Sequence, residues 1–166
     1  MPSRNCLSRS LAITLVAALS SVACNESSGA APPPNDPTLQ GAGTGPLSQL
    51  ESSPFQNEVW FDEHGQQIGF IYYPRENIRV SAQCRGASGQ FVCEAMRFMR
   101  QGMPVEIAHR ALDGRTSAGV KVCMRMNQPI VIVHNSVGSE DGFCRFADGS
   151  LVSNAALEQY KMHVIQ

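Results

Sequence analysis

Alternating apolar and polar residues predict a β-hairpin near the middle of the chain. Residues 58–62 and 67–73 show the period of two that is typical of half-buried strands. The intervening residues 63–66 include Gly65, which can take the positive φ that a tight turn requires. A further apolar run over residues 78–82 predicts a third short strand.

The second half of the chain alternates between helical and strand-like spacing. Apolar residues recur with a helical period in four segments: residues 90–101, 105–112, 117–126 and 153–160. Strands are predicted at residues 130–133, which are β-branched, and at 142–146. These elements predict an α+β fold, with small antiparallel hairpins packed against two or three short helices. Strands followed by helices recur, but we identify no internal repeat in the sequence.

The N-terminal residues have the pattern of a secretory signal. Arg4 and Arg9 precede an apolar stretch over residues 11–23, which is shorter than the roughly 20 residues that cross a bilayer. We therefore predict a signal peptide over residues 1–23. A buried N-terminal helix is the alternative, but it does not explain the cysteine that follows at position 24.

Residues Ser21-Val22-Ala23-Cys24 resemble the lipobox of bacterial lipoproteins, although Ser21 stands where that family usually has Leu or Val. The resemblance implies that Cys24 becomes the N-terminus and carries acyl chains, which anchor a protein without a spanning helix. Asn25 follows, which by the same resemblance implies an outer-membrane lipoprotein of the bacterial cell envelope that faces the periplasm. Ordinary signal cleavage after Ala23, or at Ala18, is the alternative.

The region after Cys24 has the composition of a tether. Residues 24–57 are rich in proline, glycine and serine, a composition that buries too little apolar surface to offset the entropy of ordering. We therefore predict a lipid-anchored disordered linker over 24–57 and a folded domain over 58–166. That domain has eleven acidic and eleven basic residues, so its charge does not favour nucleic acid as a partner.

Four cysteines remain once Cys6 and Cys24 are set aside: Cys84, Cys93, Cys123 and Cys144. In an exported chain an even number of cysteines predicts two disulfides, for which three pairings are possible. Small domains of this kind depend on such bonds because their cores are small.

Residues 119–157 resemble a small bacterial lipoprotein domain of unknown function that is often labelled a haemolysin. The matching residues are Cys123, Gly142, Cys144, Phe146, Asp148, Gly149, Ser150, Ala156 and Leu157. Two family cysteines are missing, one of them at Val152, and a family tryptophan is replaced by Ala155. Because Cys123 and Cys144 are retained together, the resemblance implies a bond between them, which leaves Cys84 to pair with Cys93. No long amphipathic or apolar segment beyond the signal supports pore formation.

Candidate catalytic chemistry is sparse. The four histidines, His64, His109, His134 and His163, lack metal-ligand spacing, and we predict neither a metal nor a cofactor. A Cys/His nucleophile is less favoured than disulfides in an oxidising compartment. Asp148-Gly149-Ser150 is better explained as a turn that caps a helix than as a calcium site.

The aromatic residues of the first hairpin allow two interpretations. Trp60, Phe61, Phe70, Tyr72 and Tyr73 could pack in the core or form an exposed face that binds another envelope protein. We expect a membrane-tethered, non-enzymatic binding or structural module. The alternatives are a periplasmic inhibitor of an envelope enzyme, or an enzyme with an unrecognised site in a cleft that holds a free thiol or a perturbed histidine.

Overall fold

The computed structural model describes residue 45 and residues 47–166. The predicted signal peptide, Cys24 and most of the predicted linker lie outside these residues. The strands are β1 (Gln56–Phe61), β2 (Gln67–Tyr73), β3 (Ile78–Ser81), β4 (Val105–Ala108), β5 (Ile130–His134), β6 (Glu140–Arg145), β7 (Leu151–Ser153) and β8 (Met162–Ile165). The helices are α1 (Glu94–Gln101), α2 (Ala118–Arg125) and α3 (Asn154–Lys161). Within the described residues, no helix is long and apolar enough to cross a membrane.

Six of the strands close into one antiparallel barrel, in the order β1-β2-β3-β7-β6-β5, with Phe61 of β1 paired to His134 of β5. The expected α+β class is confirmed, but the expectation of separate small hairpins is wrong. The hairpins β1–β2 and β5–β6 are joined through β3–β7 and β1–β5. Those two junctions pair residues more than 70 positions apart, so local sequence patterns carry no signal for them.

Two predicted helices differ in the structure. Residues 105–112, expected as a helix, form β4 and a single 3₁₀ turn at His109–Ala111, because β4 pairs in parallel with the C-terminal strand β8. The helix expected from residue 90 begins at Glu94, since residues before Cys93 form a bridge between Arg85 and Phe91.

The barrel consists of two structural repeats. In β1–β2, Val59 pairs with Gly69, and in β5–β6, Ile132 pairs with Gly142, so a shift of 73 positions maps one hairpin onto the other. The turns agree in detail. The Asp62 carboxylate accepts hydrogen bonds from the N–H groups two and four residues later, and the side-chain oxygen of Asn135 does the same.

The third strands of the two repeats meet at a local two-fold axis. Val80 of β3 pairs with Val152 of β7, which is its equivalent after a shift of 72 positions. The hydroxyl of Ser81 accepts a hydrogen bond from the Leu151 N–H at 3.0 Å, and the hydroxyl of Ser153 accepts one from the Arg79 N–H at 3.3 Å. These reciprocal bonds show that the strands β1–β3 and β5–β7 form an internal repeat, which the sequence patterns alone did not identify.

Two hydrophobic clusters result from this arrangement. The barrel interior contains Trp60, Phe70, Val133, Phe143 and Leu151. The equivalent phenylalanines Phe70 and Phe143 lie with ring centroids 4.2 Å apart. The outer surface of β3 and β7 packs beneath the three helices in a second and larger cluster.

The folded unit begins before residue 58. Leu47 and Leu50 are buried in the outer cluster, and the Glu51 carboxylate forms a two-pronged ion pair with Arg100 of α1. The predicted linker over 24–57 is therefore too long at its C-terminal end. The reason is that two leucines within a polar stretch are sufficient to dock it on the core.

The structure contains the disulfides Cys84–Cys93 and Cys123–Cys144, which is the pairing implied by the resemblance. The first joins the end of β3 to the start of α1. The second joins α2 to β6. Both sulfur pairs lie in the outer cluster, where they attach helices to the barrel.

Candidate functional site

The aromatic residues of the first hairpin do not form an exposed face. Trp60, Phe70 and Tyr73 are only 6%, 1% and 0% exposed, and Phe61 and Tyr72 are partly buried. Side chains alternate between the two faces of a strand, so Trp60 and Phe70 point into the barrel while Tyr73 packs outside it between Phe55 and Phe91. Of the two interpretations of these aromatic residues, core packing is therefore the one that the structure supports, and the possible binding face on this hairpin is not formed.

Charged side chains occupy one end of the barrel interior. The Arg79 guanidinium lies 2.8 Å from the Glu58 carboxylate and 3.5 Å from that of Asp141, and it stacks on the Tyr72 ring at 3.9 Å. The Trp60 indole N–H donates to the same Glu58 oxygen at 2.8 Å. Burial raises the pKa of Asp141, although the Arg79 charge and a hydrogen bond from the Gly142 N–H act in the opposite direction. We call this group of residues the charged end of the barrel.

The opposite end is open and contains a pocket of about 410 Å³. It is lined by Asp62, Gln66, Gln67, Ile68, Gly69, Ser81, Ala82, Gln83, Arg145, Gly149 and Leu151. We call it the barrel-mouth pocket. Its volume is in the range of small-molecule sites, and the mouth of a barrel is a common place for one. Residues from both repeats contribute to it, so the closed barrel is what assembles it.

The repeat explains why the two ends differ. The three charged residues of the charged end have apolar equivalents at the mouth by strand register: Arg79 corresponds to Leu151, Asp141 to Ile68, and Glu58 to Val131. The aromatic Tyr72, by contrast, corresponds to Arg145. The mouth thus lacks the ion pairs that fill the other end. Ile68 and Leu151 give its pocket an apolar floor.

A second difference concerns the space beside the two equivalent glycines. A Cβ on Gly69 would lie 3.4 Å from the Ala82 Cβ, an ordinary contact. A Cβ on Gly142 would lie 2.7 Å from the Asn154 Nδ2, because Asn154 stands where the first repeat has Ala82. The larger side chain fills this place in the second repeat, whereas Ala82 leaves room at the mouth.

The polar groups of the barrel-mouth pocket are available for binding. Within the described residues, the Arg145 guanidinium has no ion pair, and the side chains of Gln66, Gln67 and Gln83 form no hydrogen bond with the protein. Asp62 uses one carboxylate oxygen to hold its turn. The pocket therefore offers the positive charge of Arg145, the carboxylate of Asp62, three amide groups and an apolar floor.

The four histidines do not line the barrel-mouth pocket. His134 stacks on Phe61 with ring centroids 5.9 Å apart, and His64 lies 3.6 Å from the Glu63 carboxylate. His109 begins a 3₁₀ turn, and His163 lies opposite Glu106 in the β4–β8 pair. In the described part of the chain, no three His, Cys, Asp or Glu residues are grouped so that they could hold a metal ion.

Asp148-Gly149-Ser150 caps a helix, as its sequence suggests, but the helix is α1 and not the one that follows. The Asp148 carboxylate accepts a hydrogen bond from the Glu94 N–H at 2.7 Å, and the Glu94 carboxylate accepts one from the Asp148 N–H at 3.1 Å. The Ser150 hydroxyl accepts a third from the Ala95 N–H. The turn of the second repeat thus holds the helix that follows the first.

Sequence reasoning missed every polar residue of the barrel-mouth pocket. Glutamines and a single arginine have no motif, and they are brought together only by barrel closure. Alignment of the two repeats could have placed Arg145 at the mouth, because it shows that Arg145 is the equivalent of Tyr72 at the charged end. The aligned repeats share Gly-Phe at residues 69–70 and 142–143 and Val-Ser at residues 80–81 and 152–153.

Comparison with known proteins does not add a relative to this picture. No protein-family model, curated protein or solved structure matches the chain.

Proposed function

We propose that the protein is a non-enzymatic binding module of the bacterial cell envelope, and that its barrel-mouth pocket binds a small polar molecule with a carboxylate group. The observation that carries the proposal is the unpaired Arg145 at the rim of a pocket with an apolar floor. Arginine is suited to this role because its planar guanidinium matches a carboxylate with two parallel hydrogen bonds. The amides of Gln66, Gln67 and Gln83 supply donors and acceptors for the rest of the ligand.

Binding is favoured over catalysis by the composition of the pocket. Its lining includes no histidine or cysteine, and the hydroxyl of Ser81 already accepts the Leu151 N–H. The four cysteines of the described region are all in disulfides, so the alternative of a Cys/His enzyme lacks a free thiol among them. The Asp62 carboxylate is the one acidic group of the lining, and one of its oxygens already accepts hydrogen bonds from the His64 and Gln66 N–H groups.

The location in the envelope forms part of the proposal and is supported by the sequence. The lipobox-like residues before Cys24, and the resemblance of residues 119–157 to a bacterial lipoprotein domain, both support a lipid anchor. Expression of the Cys24→Ala variant in a bacterial host should abolish metabolic labelling with a radioactive fatty acid. Persistent labelling of this variant would show that the acyl chains are attached elsewhere.

The fluorescence of Trp60 can be used to measure ligand binding. It is the only tryptophan of the chain, and it pairs across the strands with Ile68 of the pocket floor. We would titrate the protein with N-acetylated dipeptides and with uronic acids while following Trp60 fluorescence. The same compounds with the carboxylate converted to an amide serve as matched ligands.

The Arg145→Ala variant should weaken the binding of the carboxylates about 10- to 150-fold, because a hydrogen bond to a charged group contributes about 1.5–3 kcal/mol. Arg145→Lys should lie between this variant and the unmodified protein, since it retains the charge without the two-pronged geometry. Arg115→Ala removes an exposed arginine elsewhere and is the control. Equal affinity for carboxylates and amides, or no binding to either series, would contradict the proposed ligand class.

A further inference from the structure

The strands β4 and β8 form a separate two-stranded parallel sheet outside the barrel. In the described part of the chain each of them pairs only with the other. Their backbone groups make no further backbone hydrogen bonds there. Each strand therefore has one edge with unused N–H and C=O groups. Such an edge is a template for a further strand.

A groove of about 560 Å³ lies along this small sheet, beside helix α2. It is lined by Glu106, Ile107, Ala108, Arg110, Ala111, Lys121, Met124, Arg125 and Ile165. Met124 and Ile165 are 61% and 36% exposed, so the groove presents apolar side chains to solvent. An extended segment laid in the groove would cover both of them while it reaches the strand edge.

The charge of the residues that line the groove favours a negatively charged partner. Arg110 and Arg125 form no ion pair within the described residues, whereas Lys121 is paired with Asp113. Glu106 is the one acidic residue that lines the groove. The lining is thus positive, although acidic and basic residues balance over residues 58–166. This local excess is complementary to a segment that carries negative charges.

We propose that the groove is a docking site for an extended acidic segment of a partner protein, which adds a third strand to the β4–β8 sheet. Backbone hydrogen bonds to the free strand edge would hold the segment. Its carboxylates would lie against Arg110 and Arg125, and its alternate apolar side chains against Met124 and Ile165. This site is separate from the barrel-mouth pocket and does not depend on the ligand proposed for it.

The test uses a fluorescein-labelled peptide with alternating Glu and Val residues, six residues long and blocked at both ends, with fluorescence anisotropy as the readout. We expect saturable binding to the protein, and binding at least roughly tenfold weaker in the Arg110→Glu/Arg125→Glu variant. A second peptide, in which Lys replaces Glu, should bind this variant better than the unmodified protein. That gain also shows that the variant is folded.

Two controls separate strand addition from general attraction of charge. The Arg75→Glu/Arg97→Glu variant reverses two exposed arginines outside the groove and should bind the acidic peptide as the unmodified protein does. The acidic peptide with N-methylated backbone amides on one edge should bind at least roughly tenfold more weakly, because methylation removes the donors of that edge. Equal loss in both arginine variants, full binding of the methylated peptide, or no binding of the acidic peptide would each overturn the proposal.

Discussion

Asn154 provides the most direct test of the comparison between the two repeats. Its side chain is buried against Gly142, and within residues 47–166 neither Nδ2 nor Oδ1 has a hydrogen-bond partner. A buried polar group without a partner costs about 1–3 kcal/mol, and Asn154 has two. The first repeat has Ala82 at the equivalent position. We therefore examine the replacement of Asn154 with alanine.

The expected effect of Asn154→Ala is a gain in the free energy of unfolding. Removal of two unpartnered groups contributes about 2 kcal/mol at the lower bound. The substitution removes about 25 Å³ of side-chain volume, which costs about 0.6 kcal/mol at about 24 cal/mol per Å³ of cavity. We expect a net stabilisation of about 1–2 kcal/mol.

Gly142→Ala should have the opposite effect, because its Cβ would lie 2.7 Å from the Asn154 Nδ2. Overpacking costs about 1–3 kcal/mol. In the double variant Gly142→Ala/Asn154→Ala this clash is absent, so the two substitutions should show a coupling energy of at least about 1 kcal/mol. Gly69→Ala, which adds a Cβ at 3.4 Å from the Ala82 Cβ, is the matched control and should not be destabilising.

Urea unfolding followed by Trp60 fluorescence and by circular dichroism measures all four variants. A loss of more than about 1 kcal/mol in Asn154→Ala would show that the Asn154 amide is hydrogen-bonded in solution, and the expected stabilisation would be refuted. Additive effects of Gly142→Ala and Asn154→Ala would show that the two side chains do not meet as described.

Two further predictions concern the repeat and the cap of α1. Leu50 and Ile71 are 21 positions apart, as are Cys123 and Cys144, and Ile71 is the register equivalent of Cys144. A third disulfide should therefore form in the double variant Leu50→Cys/Ile71→Cys. Mass spectrometry would detect it as a mass about 2 Da lower than that of the dithiol, since about 1 Da is lost per thiol oxidised. Two free thiols at these positions after oxidation would argue against an equivalence of the segments that precede β1 and β5. Partial burial tends to raise the pKa of Asp148, but hydrogen bonds from the Glu94 N–H and from Ser150 outweigh this and hold the pKa below its usual value. Its carboxylate therefore stabilises the fold at pH values above the unfolded-state pKa, and this contribution is lost as the pH falls through the lower folded-state pKa. Asp148→Ala should cost about 1 kcal/mol at pH 7 and much less near pH 2, measured by urea unfolding at both pH values; an equal cost at both would exclude the charged cap.

The parts of the fold that were predictable are those that neighbouring residues determine. The β1–β2 hairpin follows from alternation and from Gly65, which has a φ of 75°. The helix α3 begins within one residue of the prediction, because Ser153 and the apolar residues after it mark its start. The cysteine pairing followed from the resemblance of residues 119–157, because this chain retains Cys123 and Cys144 together.

The parts that were missed depend on distant residues. Val105–Ala108 is four residues long, and such a short apolar run fits a helix as well as a strand until β8 is known to pair with it. The repeat is not evident in the sequence because β3 and β7 follow turns that differ in length by one residue, so that a single shift does not align all three strands. The barrel-mouth pocket was not predictable either, because Gln66, Gln83 and Arg145 meet only when both repeats are in place.

The reciprocal pairing of the repeats has a consequence for how the chain reaches its native state. Each repeat alone is a three-stranded meander with two open edges, β1 and β3 in the first, and the other repeat covers both, as one subunit covers another in a two-fold dimer. Barrel closure is therefore an association step within one molecule. Until β7 is in place, an incomplete chain exposes two strand edges that can pair with any other copy nearby. Protection from aggregation thus arrives late, with the last strand of the barrel.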